Sequence, residues 1–122
     1  MFDSIIKHYN MEGEVIPFED WIKLVEDPDY RKVDRTEFSE NEFVSTVLLG
    51  LDHNFGGHGP PKIFETMSHE NGEWVEQVRY ATKEEAKAGH AVVVARVLAR
   101  QHLRQHPFGR VIELEEVEND EG

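Results

Sequence analysis

Cysteine is absent from the 122 residues. Disulfides, thiolate metal sites and cysteine nucleophiles are therefore all excluded, which suits a reducing compartment. Positive charge is scarce: 13 Lys and Arg stand against 25 Asp and Glu, a formal net charge of -12. Phosphate attraction supplies most nucleic-acid affinity, so this balance argues against generic nucleic-acid binding. Long apolar runs are missing as well. No segment reaches the roughly 20 residues of a membrane span, and the opening MFDSIIKHYNMEGE has no basic stretch leading into an apolar one. The expectation is a cytoplasmic protein with no membrane association, long enough to bury a core in one domain.

What is present patterns as α+β. In EVIPFEDWIKLVEDPDY, Glu14 to Ile16 suits a brief strand, and Phe18, Trp21, Ile22 and Val25 recur at helical spacing after Pro17 until Asp27 and Pro28 stop them. Arg31 to Phe38 alternates weakly and, with its charges, reads as an edge strand. Phe43 to Leu51 is apolar on both parities and rich in β-branched residues, as a central strand requires. Lys62 to Ser68 is its antiparallel partner across a Gly/Pro loop, and Asn71-Gly72 marks a hairpin into Trp74 to Tyr80.

Thr82 and Glu85 have capping-box spacing at the start of a long helix whose acidic beginning and Arg96, Arg100 and Arg104 at its end oppose the helix dipole. Ala86, His90, Val93 and Val97 share one face, which should lie on the sheet. The three arginines read as a solvated stripe. Pro107 and Gly109 end the helix, RVIELEEV suits a last strand, and residues 113–122 form an acidic tail expected to be flexible. The expected architecture is one α+β domain over residues 1–112: an antiparallel sheet of four to five strands packed against a long C-terminal helix and a short N-terminal one.

The stretch VSTVLLGLDHNFGGHGPPKIFETM, Val44 to Met67, concentrates the chemistry. Asp52, His53, His58, Glu65 and the inward His90 are ligand types suited to zinc or iron(II), with His53, Glu65 and His90 as the metal candidates if a metal is bound. No HExxH motif accompanies them, and no metal or cofactor is assigned. Each residue also has a structural role available. Asp52 and His53 suit a turn in which a side chain accepts backbone amides. His90 suits a buried helix histidine bonded to a loop carbonyl. Glu65 needs water or a partner such as Arg79 or a histidine. The loop NFGGHGPP fits neither GxxxxGK[ST] nor GxGxxG; its glycines read as left-handed turns that leave Phe55 and His58 displayed. Ser45, Thr46 and Thr66 are not on the sharp turn that a nucleophile needs.

The same stretch, followed by RYATKEEAKAGH, resembles an uncharacterised family of small tailed-phage and prophage proteins with the pattern VSTVxLGxDHxFG, GPPxxFETM and RYxTxEEAxAGH. The likeness extends from about Glu14 to His90. It departs at SHENGE, where the family often has an aromatic-glycine run, and it does not include the chain from about Pro107. The resemblance implies a phage or prophage context inside a host cell and supplies no activity.

The expected function is a non-catalytic acidic binding module that inhibits or modulates a host or defence protein. Its partner would be a protein with a basic surface, and self-association is an open possibility. Asp52, His53, Phe55, His58, Glu65, Arg79 and His90 are the binding candidates. Two alternatives compete with it: a small metal-dependent hydrolase built on the His/Asp/Glu cluster, and a nucleotide or small-molecule binder in which loop amides and Arg79 hold an anion.

Overall fold

A computed structural model describes residues 6–54 and 57–106. Phe55, the strand expected in RVIELEEV and the acidic tail lie outside the described residues. The remainder is α+β, as the sequence implies. Strands β1 (His8–Tyr9) and β2 (Val15–Ile16) form a small antiparallel sheet, joined through a turn in which the Asn10 side chain accepts the amides of Glu12 and Glu14. Helix α1 (Phe18–Val25) begins after Pro17, whose missing N–H costs nothing at a helix start.

Asp27 and Pro28 do stop that helix, but they also start another. Asp27 accepts the amide of Asp29 and Pro28 supplies the first position of the short α2 (Pro28–Arg31), a turn the sequence reading passed over. Tyr30 then accepts the Met11 amide through its hydroxyl, and Arg31 donates to the Leu48 carbonyl, so α2 ties the N-terminal sheet to the main one.

The main sheet is a four-stranded antiparallel meander: β3 (Lys32–Ser39), β4 (Glu42–Leu48), β5 (Phe64–Glu70) and β6 (Glu73–Tyr80), paired in that order. Asn71 and Gly72 both adopt positive φ, as the tight β5–β6 turn demands. Helix α3 (Lys83–Gln105) opens on the capping box of Thr82 and Glu85 and lies across all four strands, with Ala86, His90, Val93 and Val97 buried as expected.

Its packing divides the core. Ala86 joins Tyr9, Met11, Leu48, Ile63 and Phe64 at one end, while Val93 and Val97 close on Val44 at the other. Between them the strands present hydroxyls, and His90 fills that polar layer.

Candidate functional site

Strand alternation decides which candidate residues can meet. Val44, Thr46 and Leu48 are buried under α3, which sends Phe43, Ser45 and Val47 to the opposite side of the sheet. On β5 the register pairs Thr46 with Thr66 and Val47 with Glu65, so Thr66 faces α3 and Glu65 does not. His90 and Glu65 therefore stand on opposite faces of one sheet. The composite His/Asp/Glu cluster on which the metal-hydrolase alternative would be built is not assembled, and among the described residues no three His, Asp or Glu side chains group as a cation would need. Inward histidine and strand carboxylate had seemed compatible only because their parities across the long loop were not tied together.

Each residue has a local role instead. Asp52 Oδ1 accepts the amides of Asn54 and Lys62 at 2.8 and 2.9 Å, closing the loop at both ends. That carboxylate occupies amides which an anion would otherwise use, and the loop's positive-φ glycines, Gly57 and Gly59, serve its turns. His53 donates from Nδ1 to the Leu51 carbonyl and from its amide to Lys62. His58 is exposed, and its carbonyl accepts from the Asn54 side chain. Glu65 has the partner its burial requires: Oε2 accepts from Arg79 Nε at 3.1 Å and from Gln77 Nε2 at 3.0 Å. With its guanidinium on Glu65, Arg79 sits on the far side of the sheet from α3.

His90 is 3 % exposed and bonds two strand hydroxyls, not a loop carbonyl. Nδ1 is 2.7 Å from Thr46 Oγ1 and Nε2 is 2.9 Å from Thr36 Oγ1, while Thr46 continues the chain to Thr66. Burial lowers the imidazole's affinity for a proton below its ordinary value of 6.5, with Asp34 at 3.8 Å opposing the shift more weakly. The unfolded chain thus takes up a proton that the folded chain resists, so stability is greatest above pH 6.5 and falls as pH drops below it. Chemical denaturation across that range should show this slope in the wild type and a flattened slope in His90→Gln. Equal slopes would assign the effect elsewhere.

The arginine stripe is solvated in part, with Arg96 and Arg104 exposed, but each of its members is ion-paired. Arg96 reaches Glu76, Arg100 bridges Glu70 and Glu76, and Arg104 reaches Glu42, all on the sheet. These carboxylates attract the arginines back across the helix edge.

The group that the sequence reading missed lies on the sheet face away from α3. The two-residue turn at Asn71-Gly72 sets His69 opposite Trp74, and β4–β5 pairing sets Phe43 beside His69. The Phe43 and His69 rings stack at 5.2 Å with an interplanar angle of 14°. Trp74 meets both edge-on, at 5.7 and 4.8 Å, and remains 58 % exposed. The Arg35 guanidinium lies over the Phe43 ring, 4.1 Å from its centroid. His69 donates from Nδ1 to the Asn41 carbonyl at 2.7 Å, which fixes its ring plane. The hairpin dipeptide signals only the His69–Trp74 pairing; Phe43 and Arg35 are brought in by the β3–β4–β5 register, which the dipeptide does not set.

The patch gathers Phe43, His69, Trp74 and Arg35 on one face of the sheet. It offers rigid aromatic area, one cation and solvent-facing edges, which suits recognition. Comparison with family models, with curated proteins and with solved structures returns no match.

Proposed function

We propose that the protein is a non-catalytic binding module, of phage or prophage origin, that modulates a host or defence protein through the sheet face bearing Trp74. The observation that carries this reading is the exposed Trp74 ring held against Phe43, His69 and Arg35. Trp and Arg are the residues most enriched at binding hot spots, and an aromatic side chain pre-packed by neighbours loses little entropy on binding. Around this apolar centre the chain carries a net charge of -12. A complementary partner has a basic surface, and opposite fields would speed the encounter.

The binding candidates chosen from the loop, Asp52, His53 and His58, are secondary here because the first two are engaged in closing the loop. The phage context rests on the resemblance over about Glu14 to His90 and gives the modulator role its setting.

A basic protein captured from host lysate at low salt should be purified and titrated against wild type and Trp74→Ala. A hot-spot tryptophan contributes at least about 2 kcal/mol, so affinity should fall by roughly 30-fold or more. It should also weaken steeply with added salt. Binding that ignores both the substitution and salt would refute the reading.

A further inference from the structure

His53, His69 and His90 each spend a ring nitrogen on the fold, the first two on the carbonyls of Leu51 and Asn41 and the third on threonine hydroxyls. His102 and His106, in HLRQH at the end of α3, do not. Both are exposed, and among the described residues nothing hydrogen-bonds their ring nitrogens. They stand one helical turn apart on one side of α3. The His106 amide donates to the His102 carbonyl at 2.9 Å, which keeps that spacing past Gln105, the last helical residue. Their ring centroids are 4.6 Å apart with an interplanar angle of 38°.

We infer that His102 and His106 form a binding site for one late first-row divalent cation: copper(II), nickel(II) or zinc. Two nitrogens bound to the same ion at about 2.0–2.1 Å stand roughly 3 Å apart. Rings with centroids 4.6 Å apart reach that separation by turning about their own side-chain bonds. Histidines at i and i+4 are also the spacing by which one helical face offers two ligands to zinc. Imidazole selects these ions over calcium and magnesium, which take oxygen ligands. With two protein ligands, the remaining positions hold water or a donor from another molecule, so the ion exchanges readily. Copper(II), the highest of the three in the affinity order, binds most tightly.

The surroundings favour a cation. The last carbonyls of α3 form the negative end of its dipole, and the chain carries a net charge of -12. Arg104, between the two histidines in sequence, is turned away to Glu42. Their helical neighbours three and four positions away, Leu98, Ala99, Leu103 and Gln105, are uncharged. A counter-charge for the helix end does not by itself account for the pair, because two protonated imidazoles one turn apart repel, whereas one shared ion supplies charge without that repulsion. The pair uses neither His53, Glu65 nor His90, and it stands on α3, across the sheet from Trp74, so the inference is independent of the partner proposed for that face.

Calorimetric titration of the full chain with copper(II), nickel(II) and zinc chlorides tests this. The wild type should bind copper(II) most tightly. His102→Gln and His106→Gln should each weaken that binding by at least about tenfold, the loss that even substitutions behind the ligands cause. His8→Gln, which removes a histidine from β1, should leave it unchanged. Paramagnetic broadening by copper(II) needs no variant, and in the wild type it should fall first on the ring protons of His102 and His106. A wild type that binds neither copper(II) nor nickel(II) overturns the inference, as do equal affinities in all three variants or broadening that falls first on other histidines. If a variant loses its helical signal, the broadening decides.

Discussion

Replacing Glu70 with alanine is expected to destabilise the fold by about 3 kcal/mol, the lower end of the cost of removing one partner from a buried ion pair. Glu70 ends β5 under α3 and is 2 % exposed. Both of its oxygens take 2.8 Å bonds from Arg100, from Nε and Nη2, and Ser68 Oγ donates a third at 2.8 Å. The Arg100 hydrogen bonds outweigh burial and hold the Glu70 carboxyl below its ordinary 4.5; those of Arg96, with Arg100 adding to them, do the same for Glu76. Such groups contribute stability that is fully present above pH 4.5 and is lost as pH falls through their lowered values.

Alanine would leave Ser68 without its acceptor and Arg100 with Glu76 alone. Arg100 is 33% exposed, so water recovers part of its solvation and keeps the cost below that of a fully buried pair. Urea denaturation at neutral pH measures the loss. A double variant, Glu70→Leu with Arg100→Leu, should regain much of it, because an apolar pair of suitable volume avoids the desolvation of both ions. A double variant no better than Glu70→Ala would show that packing and not charge underlies the effect.

Gly50→Ala should cost a similar amount, about 3 kcal/mol, by a different route. Gly50 has φ of +74°, where an L-residue pays roughly 1–2 kcal/mol. Its position is also crowded: an added Cβ would come within 2.2 Å of Trp21 Nε1 and 3.0 Å of the Tyr9 carbonyl oxygen. Overpacking of this kind costs roughly 1–3 kcal/mol more. The Gly50 carbonyl accepts the Tyr9 amide at 2.9 Å, and His8 bridges to Leu51, so the strain falls on the junction between the two sheets. The variant should lower the thermal midpoint and speed proteolysis near β1 while α3 keeps its helical signal. A midpoint unchanged from wild type would mean that Trp21 and β1 move aside at no cost.

Much of the fold was legible because it is local. The Asn71-Gly72 dipeptide, the Thr82–Glu85 spacing and the periodicity of Ala86, His90, Val93 and Val97 each act through neighbours in the chain, and all appear where the sequence puts them. The α2 turn was missed because Asp27-Pro28 carries two meanings, stopping one helix and capping the next. The candidate site fared differently. Asp52 reads correctly as a turn former, since its bonds to Asn54 and Lys62 close one loop. Glu65 and His90 were misjudged as neighbours, because their separation is set by the β4–β5 register, which a slip of one residue would reverse.

Composition and spacing by themselves determined an α+β fold, the order of its four main strands and capped long helix, and an acidic chain without thiol chemistry. Only the tertiary structure decided that Arg96, Arg100 and Arg104 fold back onto Glu76, Glu70 and Glu42, that His90 bonds Thr36 and Thr46, and that Phe43, His69, Trp74 and Arg35 gather on the other face. The physical reason is range. Caps, turns and periodicity depend on residues a few positions apart, whereas these contacts join residues up to 62 positions apart whose meeting depends on strand register and the placement of a helix across it.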